Sequence, residues 1–115
     1  MSTTEEIAEM YGQYVMPTYA PEVAFVKGKG TKVWDADGKV YLDFVAGISV
    51  LNVGYSHPTV VGAIQDQAAE LVHVSNLYYC ENQAKLAKQL SDLSIKGKCF
   101  FSNSGAEANE GMIKL

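Results

Sequence analysis

The spacing of apolar and polar positions changes several times along the chain, and each change marks an element. Ile7, Met10, Tyr11 and Tyr14 recur at helical spacing behind Thr3-x-x-Glu6, a capping-box pattern. They predict an amphipathic helix over residues 4–14, ended near Pro17. So short a helix is marginal alone and needs a surface to dock on. Tyr19-Ala20-Pro21 continues as extended chain. Three runs of β-branched and aromatic residues follow, at 23–27, 31–35 and 40–44. Gly28-Lys29-Gly30 and Asp37-Gly38 between them are hairpin chemistry, so the runs read as a three-stranded antiparallel meander. Trp34 and Tyr41 are expected to anchor its packed face. Gly28 and Gly30 open no nucleotide-binding loop, because no helical pattern follows them.

Residues 43–54 keep neither period, are strongly apolar and contain two glycines. A loop of that composition is costly to expose, so it is expected to line an interior, a subunit interface or a pocket wall. Pro58 then takes the first position of a helix whose inward stripe is Val61, Ile64, Ala68 and Leu71. His57 just before it has no neighbouring acid to orient it and reads as a loop or cap residue. Residues 73–79 connect, with Tyr78 and Tyr79 available for packing or for a flat ligand. A further helix over 81–93 turns Leu86, Leu90 and Leu93 inward and ends in a turn at Gly97. Cys99-Phe100-Phe101 reads as a buried strand that breaks at Ser102-Asn103-Ser104-Gly105. Ala106, Glu107 and Met112 are good helix formers, and Ser104-x-x-Glu107 starts a last helix at Ser104. The order is helix, meander, helix, helix, strand, helix. That is an α/β chain, with a small β-rich segment at 1–70 leading into an α/β layer at 71–115.

The turn at Ser104 carries the candidate chemistry. It aims a helix N-terminus, with free N–H groups and the positive end of the dipole, beyond the end of the predicted strand. Gly105 would let an anion reach the backbone without meeting a Cβ. Taken locally, an ordinary strand–turn–helix connection capped by Ser remains the competing reading.

Composition narrows the choices. A formal net charge of −4 argues against a nucleic-acid partner. All nine basic residues are Lys, so an anion site built from this chain relies on backbone rather than on a bidentate guanidinium. Cys80 and Cys99 have neither metal-ligand spacing nor the number for a disulfide framework. The start, Ser2-Thr3-Thr4-Glu5-Glu6, is too polar and acidic for a signal peptide. No run reaches membrane-spanning length, and a soluble cytoplasmic protein is expected. Met112 and Leu115 belong to a helical pattern still under way, and a parallel layer needs neighbouring strands. The 115 residues are therefore expected to be part of a larger protein.

In order along nearly the whole chain stand Tyr19-Ala20-Pro21, Gly28-Lys29-Gly30 and Val33-Trp34-Asp35. Then come Asp37-Gly38-Lys39-Val40-Tyr41-Leu42-Asp43-Phe44, Ala46-Gly47-Ile48 and Gly54-Tyr55-Ser56-His57-Pro58. Ser75-Asn76-Leu77-Tyr78-Tyr79 and Asn103-Ser104-Gly105-Ala106-Glu107-Ala108-Asn109-Glu110 complete the series. This series resembles the N-terminal portion of the class III (ornithine-type) aminotransferases, of fold type I among pyridoxal-phosphate enzymes. The resemblance implies the N-terminal part of that fold: a helix and three-stranded antiparallel meander leading into the start of the large α/β domain. It implies pyridoxal 5'-phosphate as cofactor, its phosphate held at Ser104, Gly105 and Ala106. The family more often has Thr at Ala106, so one hydroxyl is absent. It implies Ile48, Tyr78 and Tyr19 as residues on the substrate side. Ornithine-specific members carry Tyr at the position of Ile48, and an aliphatic residue fits an acylated donor better.

The implied reaction is amino transfer between N-acetylornithine and 2-oxoglutarate in arginine biosynthesis, by a homodimer with its active site at the subunit interface. A related ω-aminotransferase acting on ornithine, succinylornithine or 4-aminobutyrate, and an inactive truncated chain, stay open. The family's cofactor-bound lysine, the Asp facing the pyridine nitrogen and the carboxylate-binding Arg match no position here. No residue of this chain is therefore expected to be catalytic, and the segment alone is expected to be inactive.

Overall fold

The computed structural model describes residues 2–115, which divide into two units at Glu70/Leu71. The first holds α1 (Thr4–Tyr14), β1 (Phe25–Lys29), β2 (Lys32–Asp35), β3 (Val40–Leu42), the single turn α2 (Ala46–Ser49) and α3 (Pro58–Glu70). The second holds α4 (Glu81–Asp92) and α5 (Gly105–Lys114).

The capping box predicted for α1 forms in both directions. Glu6 N–H donates to Thr3 Oγ1 at 3.2 Å, and Thr3 N–H donates to Glu6 Oε2 at 2.9 Å. The helix stops at Val15, whose backbone is extended, two residues before Pro17. Thr4 N–H donates to Asp37 Oδ1 at 3.3 Å, which ties the helix start to the β2–β3 turn.

The meander is antiparallel in the order β1-β2-β3, as expected. Its first strand begins later than the apolar run suggests and continues through Gly28 and Lys29. Gly28 pairs with Val33 and Lys29 with Lys32, so β2 sets that end of the strand, and Tyr55 packs against it. A Cβ on Gly28 would stand 2.3 Å from Tyr55 Cδ1, so glycine admits the ring onto the strand. Gly30 and Tyr55 also exchange backbone hydrogen bonds of 2.9 and 2.8 Å. The glycines thus serve a close approach as well as a turn.

The packed face differs from expectation at one residue. Val33 and Asp35 are 3% and 6% exposed, and alternation along β2 puts Trp34 on the other face. There Lys27 Nζ lies 4.9 Å from the Trp34 ring centroid. Tyr41, opposite Val33, does belong to the packed face and meets Phe25 edge-on at 5.3 Å. The buried carboxylate of Asp35 is fully used. Its Oδ1 accepts from Asp37 N–H at 3.1 Å and Lys39 N–H at 2.8 Å, and its Oδ2 accepts from Tyr41 OH at 2.8 Å. Burial pushes its pKa up, but the Tyr41 hydroxyl, these two N–H groups and the Lys39 charge outweigh it and leave the carboxyl below its ordinary value.

α3 begins at Pro58 and α4 at Glu81, where the sequence put them. Neither buries a residue. The stripes Val61, Ile64 and Leu71, and Leu86, Leu90 and Leu93, stay exposed. A stripe disappears only under a second layer, and among the described residues none covers these. α4 closes with Lys96 rather than Gly97 in the left-handed position (φ 58°), its N–H donating to Ser91 O at 3.2 Å.

Cys99-Phe100-Phe101 is not a strand. A strand is defined by ladder partners, and the one sheet among the described residues is the meander of the other unit. The run is held locally instead. Cys99 Sγ lies 3.6 Å from Ala87 O, and the Phe100 ring packs where a Cβ on Gly111 would come within 2.9 Å of it. No helix among the described residues is long and apolar enough to cross a membrane.

Candidate functional site

The turn before α5 is a helix N-terminus with two open donors. Ser104 has extended backbone and is the N-cap, its Oγ accepting from Glu107 N–H at 3.2 Å. Glu107 reaches back one residue further than in a capping box: its Oε2 accepts from Asn103 N–H at 2.7 Å. Ser102 Oγ donates to Ser104 O at 3.1 Å and closes the turn. The N–H groups of Gly105 and Ala106 meet no acceptor among the described residues. A Cβ on Gly105 would meet nothing within 4 Å, so the approach to those donors is open. These donors, the helix dipole and the Ser104 hydroxyl fit a phosphate group. The Glu107 carboxylate is engaged with Asn103. The sequence marked Ser104, Gly105 and Ala106; it did not show that Glu107 holds Asn103, although the S-x-x-E spacing was the available signal.

Tyr78 lies in the same unit, 70% exposed, in a turn started by Ser75 (φ 62°). Leu77 N–H donates to Ser75 Oγ at 3.2 Å there.

Ile48 and Tyr19 belong to the first unit. Tyr19, 88% exposed, lines a cavity of about 700 Å³ between α1 and residues 15–25. That lining is mainly apolar, and Glu22 is its one carboxylate.

Ile48 sits on the strained element of the chain. Ala46, Gly47, Ile48 and Ser49 all have positive φ, 51°, 63°, 62° and 63°. A left-handed turn costs an L-residue about 1–2 kcal/mol, and a β-branched residue rarely adopts it. Asp43 holds the turn: its Oδ1 accepts from Val45 N–H at 2.7 Å and Ala46 N–H at 3.0 Å. Its Oδ2 accepts from Tyr55 OH at 2.7 Å. The Tyr55 hydroxyl, then the two N–H groups, keep the Asp43 carboxyl below its ordinary value, and the same bond raises the Tyr55 phenol. Neither residue stood out in the sequence except as part of the resemblance.

A helix–meander segment, a glycine-held aromatic loop and an open Ser-Gly-Ala helix start thus follow one another along the chain. The family model for class III aminotransferases matches residues 14–115, and the chain belongs to that family. It is 56% identical over 104 residues to the acetylornithine aminotransferase of Caldanaerobacter subterraneus subsp. tengcongensis, covering 90% of this chain and 26% of that protein. The crystal structure of the acetylornithine aminotransferase of Elizabethkingia anophelis matches with a TM-score of 0.93 at 33% identity, over 99% of this chain and 30% of that one. The taurine:2-oxoglutarate aminotransferase of Bifidobacterium kashiwanohense, solved with pyridoxal phosphate and glutamate, matches with a TM-score of 0.89 at 34% identity, over 99% and 27%. The fold is that of the N-terminal part of these enzymes, and the chain spans about a quarter of the length of the first of these relatives.

Proposed function

We propose that this chain is the N-terminal part of an aminotransferase that moves an amino group between N-acetylornithine and 2-oxoglutarate in arginine biosynthesis. The observation that carries the reading is the open pair of N–H groups at Gly105 and Ala106, in a chain that belongs to the class III family. They would hold the phosphate of pyridoxal 5'-phosphate, with the Ser104 hydroxyl beside them. When bound, the cofactor would supply an aldehyde and an electron-withdrawing ring that labilise the C–H bond at the carbon bearing the transferred amine. This chain's own part is to anchor, orient and enclose. Gly105 and Ala106 bind the tail, while Ile48, Tyr78 and Tyr19 border the donor. None of the nine lysines is proposed as catalytic.

Residues 1–70 would be the small-domain segment and residues 71–115 the beginning of the cofactor domain. The protein would be a cytoplasmic homodimer, and loop 43–54, whose Phe44, Val45 and Val50 are exposed in this chain, is the candidate for its subunit interface. The donor assignment rests on two points: the acetylornithine enzymes among the relatives, and an aliphatic side chain at Ile48, which suits an uncharged acyl arm. The full-length protein is expected to give its highest kcat/KM with N-acetylornithine among that donor, ornithine, succinylornithine and 4-aminobutyrate. Comparable turnover of ornithine would overturn the substrate assignment.

A further inference from the structure

We infer that Asp43 and Tyr55 are a positioning pair, holding the left-handed turn Ala46–Ser49 so that Ile48 faces the far end of the amino donor. The inference rests on the reading above that Ile48 borders the donor. It is carried by strained backbone and the hydrogen bonds that converge on it. Three non-glycine residues of the turn, one of them β-branched, keep positive φ, yet Ile48 itself is 87% exposed. Strain of this kind persists where surrounding structure over-determines it, and it gathers at functional sites.

Within the turn Ser49 N–H donates to Val45 O at 3.1 Å, and the N–H groups of Val50 and Leu51 donate to Ala46 O at 2.8 and 3.0 Å; further restraint comes from the two feet of the loop. Asp43 N–H donates to Thr31 O at 2.9 Å, which fixes the first foot to the meander. The Tyr55 backbone pairs with Gly30, its ring lies on Gly28, and Ser56 Oγ donates to Gly28 O at 2.9 Å, which fixes the second. The Tyr55 hydroxyl joins the feet through Asp43 Oδ2, leaving Oδ1 for the two N–H groups that start the turn. One carboxylate thus links sheet, loop closure and turn. With the phenol donor removed, Asp43 keeps only its bonds to Val45 and Ala46, and the turn loses its tie to the second foot, which loosens the direction of Ile48.

The test uses full-length holoenzyme with whichever donor the wild type turns over best, so a wrong donor identity is read separately, from the wild type alone. Tyr55→Phe removes the hydroxyl and keeps the ring on Gly28. Its KM for the donor is expected to rise about fivefold, the equivalent of one hydrogen bond. The KM for 2-oxoglutarate, which lacks the long arm, and kcat are expected to change less than about twofold on the same scale. Asp43→Asn, which can still accept through Oδ1, is expected to harm donor KM less than Asp43→Ala. Ile48→Asn is expected to raise the melting temperature, because Asn tolerates the left-handed region, and to raise donor KM as well. Unchanged donor KM in Tyr55→Phe and Ile48→Asn, with only thermal stability altered, would overturn the inference; so would an equal rise in KM for both substrates.

Discussion

Ala106 brings no hydroxyl to the proposed phosphate turn, and that has a measurable consequence. With no hydroxyl there, the proposed phosphate contacts reduce to two N–H groups and Ser104 Oγ. Ala106→Thr in the full-length protein is expected to tighten pyridoxal-phosphate affinity about fivefold, the worth of one added hydrogen bond. Equilibrium dialysis against the free cofactor reads it. Gly28 makes a different demand. The structure leaves no room for a Cβ beneath the Tyr55 ring. Gly28→Ala is expected to destabilise by about 1–3 kcal/mol through forced displacement of that ring, measured by denaturant unfolding. A Cβ at Gly105 meets open space, so stability alone would not reveal its role.

Among the elements, the meander is tied by Asp35 to its own β2–β3 turn and to Tyr41. Its carboxyl titrates below the ordinary value of 3.8 in the folded chain. A lowered folded pKa means that the charged form is favoured by folding. The contribution is complete above the ordinary value and fades as pH falls through the folded one. Tyr41→Phe in the full-length protein is expected to lower stability at neutral pH, and the gap to the wild type should close at acidic pH. Urea unfolding at a series of pH values checks the direction. The helices lack such internal ties. α4 has exposed pairs between Lys85 and Glu81, at 2.6 Å, and between Lys88 and Asp92, each worth a few tenths of a kcal/mol.

Across the whole molecule, buried surface is scarce. Val33 is the one buried apolar residue among those described, while Phe44, Leu77, Tyr79 and Ile95 stand in solvent. The chain also spans only 26% of the relative from Caldanaerobacter. The 115 residues expressed alone are expected to bind a hydrophobic dye and to unfold without a cooperative transition, because the apolar surface that offsets chain entropy is left uncovered. Calorimetry on the segment and on the full-length protein distinguishes the cases.

Local pattern determined much of this. Thr3-x-x-Glu6 and Ser104-x-x-Glu107 gave the starts of α1 and α5, Pro58 the start of α3, and the glycine-bearing turns an antiparallel meander. Caps, proline and tight turns act within a few residues, so their signals are written locally. The ordered motifs carried the family, and with it the reading of Ser104, Gly105 and Ala106. Other features depend on residues far apart in the chain. Pairing with β2 carried β1 through Lys29, Tyr55 came to rest on Gly28, and alternation around Asp35 turned Trp34 outward. The run at 99–101 found no ladder partner, and loop 43–54 took left-handed backbone under restraint from Asp43 and Tyr55. Strand identity, side-chain facing and tolerated strain are set by partners, and only the folded chain brings the partners together.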